Sequence, residues 1–362
     1  MIAALAALVS CGSQTSADYT LVVGSFTNSG SEGIYTYALN TSDGSCRPLA
    51  VAKAKNPSFL VLSEDGSKVY AVNENRGCEA GLETFAFDAS AGTLEPLGFS
   101  ATGSDGPTHV SASKELALAS NYSGGSLCVF PIGKEGVIAE CSQVFPGTAS
   151  GPFMDNQAAP HVHCAMFTPD GKHVVATDFS ADRLMHFDIA EDATLVPSQT
   201  PYTEVAPGTG PRHITFSPAG SHAYVIGELS GEITSFKLDG GAFETIQTVP
   251  ADSLGGHGSA DIHLSPDGRF LYSSNRLVAD GIAIFAVDPS DGTLTQVGYQ
   301  LTGPHPRNFN ITPDGRFLLC ACRDSDAVEM YSRNAETGLL SLVGTIASLP
   351  HPTCVLIVPT KK

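Results

Sequence analysis

A short turn signal recurs along the chain, and its spacing limits the architecture more than any other feature. Ser63-Glu-Asp-Gly66, Thr168-Pro-Asp-Gly171, Ser217-Pro-Ala-Gly220, Ser265-Pro-Asp-Gly268 and Thr312-Pro-Asp-Gly315 are its clear copies. The last three intervals between the turn glycines are 49, 48 and 47 residues, and the first, from Gly66 to Gly171, is 105, or two periods. The missing copy is a degenerate one at Ser113-Lys114-Glu115, which makes six. Each copy lies between two runs of alternating apolar and polar residues, as in Arg-His-Ile-Thr-Phe216 and His222-Ala-Tyr-Val-Ile226. That pattern predicts strand, tight turn, strand.

Each hairpin is followed by a third alternating strand, such as Gly281-Ile-Ala-Ile-Phe-Ala-Val287, then a second turn and a fourth strand. Four strands at a period near 48 predict the blade of a β-propeller. The chain ends supply a seventh blade. His351-Pro-Thr-Cys-Val-Leu-Ile-Val358 matches a first strand, Thr20-Leu-Val-Val-Gly-Ser25 a second, Gly33-Ile-Tyr-Thr-Tyr-Ala-Leu39 a third and Arg47-Pro-Leu-Ala-Val51 a fourth. A blade shared between both chain ends closes the ring and protects its edges, whereas a linear solenoid needs polar caps. The expected fold is an all-β, seven-bladed propeller with four antiparallel strands per blade, occupying residues 20–362. The longest expected loop is residues 145–159, and the second is residues 251–259.

Residues 1–19 fall outside this plan. Residues 1–10 are apolar and small, ending Leu8-Val9-Ser10-Cys11. The stretch resembles a bacterial lipoprotein signal whose cysteine becomes lipidated, although its apolar run is short and no Lys or Arg precedes it. The expectation is export to the periplasmic or cell-surface side of a membrane, with Cys11 as the only lipid anchor; without export the protein is cytoplasmic. No apolar run reaches the ~18 residues of a spanning helix. The eight other cysteines form no CxxC pair and read as buried thiols; Cys128 and Cys141 could bridge neighbouring strands in an oxidising compartment.

A net charge of −18 argues against nucleic acid as a partner and discourages self-association, so a monomer is expected. The few cations are not scattered. Eight residues before the turn glycines lie Ser58, His163, Arg212, Ala260 and Arg307; eight after lie Glu74, Phe179, Glu228, Arg276 and Arg323. Residues equally far from a hairpin turn lie opposite each other, so Arg212 and Glu228 should meet at the open end of theirs. The first strand of each propeller blade lines the central channel, so both sets should ring one mouth. His213, Asp261, Asn308, Asp178 and Asn275 lie one residue away, and Asn121 joins from the degenerate blade; His161, His305 and His351 lie just upstream. Of 19 Lys plus Arg, four arginines fall on this ring. Guanidinium forks suit carboxylate or phosphate, so a small anionic ligand is expected. Glu228 or His163 is the candidate proton acceptor. The plainer alternative is an Arg212–Glu228 pair that only ties its hairpin. His213, His222 and His263 read as ordinary strand residues. G-x-S-x-G, H-E-x-x-H and P-loop motifs are absent, and no acidic cluster marks a metal site, so neither cofactor nor metal is expected.

The repeat, with Pro160-His-Val-His163, Gly210-Pro-Arg-His213, Gly227-Glu228 and Ser274-Asn-Arg276, resembles the seven-bladed propeller lactonases. These include the propeller type of 6-phosphogluconolactonase and the fungal carboxymuconate lactonizing enzymes. The resemblance covers nearly everything after residue 19. It implies lactone hydrolysis on a small anionic lactone, with His163, Arg212, Glu228 and Arg276 as active-site residues. His161 is the rival histidine, and Arg307, Asn121, Glu74, Asn275 and Arg323 are the further substrate-binding candidates. A lactone-forming cycloisomerase and a non-catalytic binding scaffold are the competing readings. A cytoplasmic phosphosugar lactone would not meet an exported protein, so the signal and that substrate pull in different directions.

Overall fold

The computed structural model describes residues 17–148 and 151–360. Cys11 and the lipoprotein-like segment before it therefore lie outside the described residues.

The described residues form seven four-stranded antiparallel sheets. Blade 1 comprises Leu60–Leu62, Lys68–Asn73, Gly81–Asp88 and Thr93–Ala101. Blades 2 to 6 follow in order, beginning at Pro107, Val162, Pro211, Ile262 and Pro306. In blade 7, Pro352–Pro359 is innermost and pairs with Tyr19–Ser25, which is followed by Gly33–Leu39 and Cys46–Lys53. The two chain ends thus close the ring as the strand pattern predicts.

The turn residues explain the hairpins. Gly66, Gly171, Gly220, Gly268 and Gly315 share φ between 67° and 71°, a left-handed conformation that costs glycine nothing. In four of these turns the aspartate before the glycine binds the Ser or Thr hydroxyl that opens the turn. The same carboxylate accepts the backbone N–H that follows, as Asp170 does from Thr168 and Lys172. Blade 4 has Ala219 at that place and lacks these bonds, but keeps the glycine and Ser217, whose hydroxyl accepts the His222 N–H.

The core lies between the blades. Leu21, Val23 and Leu39 of blade 7, for example, pack with Leu319, Val328 and Met330 of blade 6. Fourth strands are largely exposed on the rim, whereas first and second strands are buried. The stretch at 145–159 is not one loop. Its first two residues end the fourth strand of blade 2, Gln143–Pro146, and Met154–Gln157 form one helical turn. All eight described cysteines are free thiols, five of them buried, and Cys128 and Cys141 are neighbours with no bridge between them.

Candidate active site

One feature of the rim repeats around the ring and aims the side chains of the site. The backbone N–H groups of Phe26, Glu74, Tyr122, Phe179, Glu228 and Arg323 each donate to a carbonyl just before the first strand of their own blade. These residues, with Arg276 from blade 5, come one per blade directly after the second strand. Five of those carbonyls belong to residues with positive φ: Asn56, Gly106, Gly210, His305 and His351. On the first strands, register shifts follow Pro107, Val162, Pro211 and Pro306. In blade 4, Pro211 pairs with Gly227 and His213 with Ile226, so Arg212 is an unpaired bulge residue. A bulge bends its strand and re-aims one side chain. Here it brings Arg212 to Glu228.

Arg212 Nε donates to Glu228 Oε2 at 2.7 Å, and Arg276 Nη2 lies 3.4 Å from the same oxygen. Arg212 Nη1 donates to the carbonyl of Ala260 at 2.6 Å, and Arg276 Nε to that of Gly258 at 2.6 Å. The arginine side chains are only 3% and 6% exposed, whereas the carboxylate is 22% exposed; the space at this mouth, between Glu228, Arg276, Arg307 and Glu74, is the cup. Across the mouth, Arg307 Nη2 lies 3.9 Å from Glu74 Oε2, which also accepts from the Ser58 hydroxyl. Arg307 covers the Phe26 ring.

The charges act on one another. Burial, and then the nearby cations of Arg212, Arg307 and Arg323, push Arg276 down to about 9 despite Glu228. Burial pushes the Glu228 carboxyl up, but Arg276, Arg212 and Arg307 outweigh it and hold it below the usual carboxylate range. Burial raises Glu74 more than Arg307 and Ser58 lower it. Two carboxyls at one mouth are thus driven in opposite directions, the arrangement in which one is held ionised and the other can hold a proton.

His163 lies deeper. Burial and then Arg212 hold it well below its ordinary range, so it is neutral, and its Nδ1 has no partner. Its ring meets Tyr122 edge-on at 5.5 Å and His213 at 5.2 Å. His161 stacks flat on Tyr122 at 4.1 Å and donates Nδ1–H to the Tyr122 carbonyl at 2.6 Å, so it braces that ring. Phe59, His109 and His213 pack with centroids 4.4 to 5.6 Å apart, and His213 in turn meets His163.

Several expectations need correction. Asn121 and Asn275 do not join the mouth. Each ends its second strand, one residue before the mouth position, and neighbouring strand residues point to opposite faces. Asn121 Nδ2 donates to Ser126 and Cys128, and Asn275 binds Ser259 and the Ala251 carbonyl. Arg323 holds a mouth position, but its guanidinium donates twice to Asp324. His213 and His263 are not ordinary strand residues; both bind Asp261 beneath the cup. His222 is an ordinary strand residue: it opens the second strand of blade 4 and pairs with Lys237.

Tyr122 is the residue that the spacing missed. It holds in blade 2 the position of Glu228 in blade 4, and burial, then Glu228, raise its hydroxyl to about 12. The eight-residue spacing could not reach it, because Ser113-Lys114-Glu115 contains no turn glycine. The register from Pro107 to Asn121 locates it. Among the described residues no group of three or more His, Cys, Asp or Glu is placed to hold a metal ion.

The family described as "Lactonase, 7-bladed beta-propeller" matches residues 20–357. The chain belongs to the seven-bladed propeller lactonase family. This lactonase is 34% identical over 346 residues to the 6-phosphogluconolactonase of Bacillus subtilis (strain 168), covering 93% of this chain and 97% of that protein. It is 35% identical over 331 residues to the 6-phosphogluconolactonase of Formosa agariphila, covering 88% and 94%. Among solved structures, the lactonase superposes on the Pseudomonas aeruginosa periplasmic gluconolactonase with a TM-score of 0.90 at 33% identity, covering 94% of this chain and 99% of that one. A Bacteroides fragilis structure carrying a provisional 6-phosphogluconolactonase name has a TM-score of 0.92 at 44% identity, covering 96% and 99%.

Proposed function

We propose that this lactonase hydrolyses a sugar δ-lactone with an anionic or strongly polar periphery, and that Arg212, Arg276, Glu228 and His163 carry the reaction. The observation that carries the reading is one carboxylate shared by two buried arginines at the mouth of the channel. Four guanidiniums (Arg212, Arg276, Arg307, Arg323) face three carboxyl groups (Glu228, Glu74, Asp324), and Glu74 is pushed towards its neutral form. The cup therefore holds excess positive charge inside a molecule of charge −18, which suits an anion.

In this reading water adds to the lactone carbonyl carbon. The carbonyl oxygen becomes an oxyanion held by Arg212 and Arg276, whose buried donors are already fixed. Glu228 takes the proton from water: both arginines engage Oε2, which leaves Oε1 to the cup. The ring C–O bond then breaks as Glu228 returns that proton to the ring oxygen, and the hydroxy acid leaves as its carboxylate, releasing one proton to solvent. His163, neutral with Nδ1 unpartnered, is suited to hydrogen-bond the substrate from below. Glu74, Arg307 and Tyr122 line the remaining wall and position the sugar hydroxyls or a phosphate.

Export with lipidation at Cys11 belongs to this proposal. Residues 17 and 18 bind Thr360, at the face opposite the cup, because Tyr19 pairs with Pro359 while Phe26 binds His351 at the mouth. A tether there holds the cup away from the membrane. Proton release from gluconolactone and 6-phosphogluconolactone, with and without chelator, tests the reading. Turnover of either supports it, and the faster one names the substrate. Inertness to both, or consumption of a muconate with lactone formation, overturns it.

A further inference from the structure

We propose that His213, held in one tautomer by Asp261, is a positioning residue that fixes the Arg212 guanidinium in the cup. This deepens the lactone-opening reading and rests on it. Asp261 is 2% exposed and accepts five hydrogen bonds. Oδ1 takes His213 Nδ1–H at 2.7 Å and the Ile262 N–H at 3.0 Å. Oδ2 takes His263 Nε2–H at 3.0 Å, Asn308 Nδ2–H at 2.5 Å and the Phe309 N–H at 3.3 Å. A group with five donors aimed at it must be an ionised carboxylate, which accepts only.

The consequence runs upward. With its proton on Nδ1, neutral His213 presents the lone pair of Nε2, and Arg212 Nη1 lies 3.4 Å from it. Burial, and then Arg212, push His213 down to about 4 despite Asp261, so it remains neutral at ordinary pH. The Arg212 guanidinium is thereby held on three sides: Nε by Glu228, and Nη1 by the Ala260 carbonyl and by His213. Nη2 is left for the substrate. Asp261 comes from blade 5 and Asn308 from blade 6, so the support for Arg212 crosses three blades. The unmated edge of a histidine toward an arginine is otherwise hard to explain, because the opposite tautomer would set one N–H against another.

Asp261→Asn tests the tautomer. Its amide must turn an NH2 group either toward His213 and the Ile262 N–H or toward the three donors Asn308, His263 and Phe309; only the first side holds a group that can become an acceptor by moving its proton. Facing His213, it moves the histidine proton to Nε2, against Arg212. The expected result is a fall in kcat of about a hundredfold with KM changed less than threefold, since Arg212 acts on the developing oxyanion. His213→Leu should match it. His213→Gln, whose carbonyl oxygen can accept from Arg212, should recover to within about tenfold of wild type, a rescue that a purely packing role would not produce. Nitrogen NMR of histidine-labelled protein gives a readout independent of turnover. It should show His213 protonated at Nδ1 in the wild type and at Nε2 in Asp261→Asn. Wild-type turnover with normal kcat in folded His213→Leu overturns the positioning role alone. So does an Nε2-protonated His213 in the wild type. Absence of wild-type turnover overturns the lactone reading instead, and the NMR assignment still decides the tautomer.

Discussion

Arg212 and Glu228 meet at 2.7 Å because a bulge removes Arg212 from its ladder and leaves it opposite no residue. A regular hairpin would have paired the two backbones and pointed neighbouring side chains to alternate faces. The bulge instead lets an arginine of the first strand and a glutamate beyond the second face the same cup. Arg276 from the next blade reaches the same carboxylate oxygen. The pair is more than a hairpin tie, since a third residue from another sheet depends on it.

Glu228→Gln should lower kcat by roughly a hundredfold, within the range seen for loss of a positioned base. Its stability effect has a definite sign. The folded carboxyl titrates below its ordinary value of 4.5, so ionised Glu228 contributes stability above that pH. The contribution is lost as pH falls through the folded value. Urea melts at pH 7 should show the variant destabilised, and melts near pH 3 should show the gap narrowed. A gap that widens on acidification would contradict the assignment.

Glu74→Gln should behave in the opposite way. Here burial raises the folded carboxyl above 4.5, so the native state loses stability as pH rises from 4.5 through the folded value. The variant has no charge to bury. Its stability relative to wild type should therefore increase with pH across that window. A pH-independent difference in Tm would show Glu74 to be an ordinary carboxylate.

Tyr122→Phe keeps the ring that stacks on His161 and removes only a hydroxyl that senses Glu228. A fall of about tenfold in kcat/KM is expected, the scale of one hydrogen bond to a charged group. The fold should be intact by circular dichroism. Unchanged kinetics would remove Tyr122 from the cup.

Asn121→Ala should do the reverse. Asn121 is fully buried, and its amide joins Ser126 and Cys128 within the blade. Losing it should cost about 1–3 kcal/mol in urea unfolding, because partners are left unsatisfied, while KM and kcat stay at wild-type values. A selective rise in KM would return Asn121 to the substrate side.

The ring and its closure by both chain ends were legible in spacing, because turn glycines and strand alternation are local chemistry; Arg212 and Glu228 do meet, but through a bulge and not as the opposed pair that equal spacing implies. The site was less so. Tyr122 escaped because the blade 2 turn has no glycine from which to count. Asn121 and Asn275 were misplaced by a single residue, which in a strand reverses the face. Arg323 was placed at the right height, yet Asp324 beside it takes its guanidinium. His213 reaches Asp261 from the neighbouring blade, which no pattern within one strand records, whereas Asp261 and His263 stand two apart at the start of one strand and share a face.

The most direct test is kcat/KM of Arg212→Ala on the better of the two gluconolactones, with the wild type measured alongside. A loss of about 10²–10³-fold is expected, the scale of removing one fixed oxyanion donor, in a protein that still melts as a folded propeller. A folded Arg212→Ala protein that opens the lactone at the wild-type rate would contradict it.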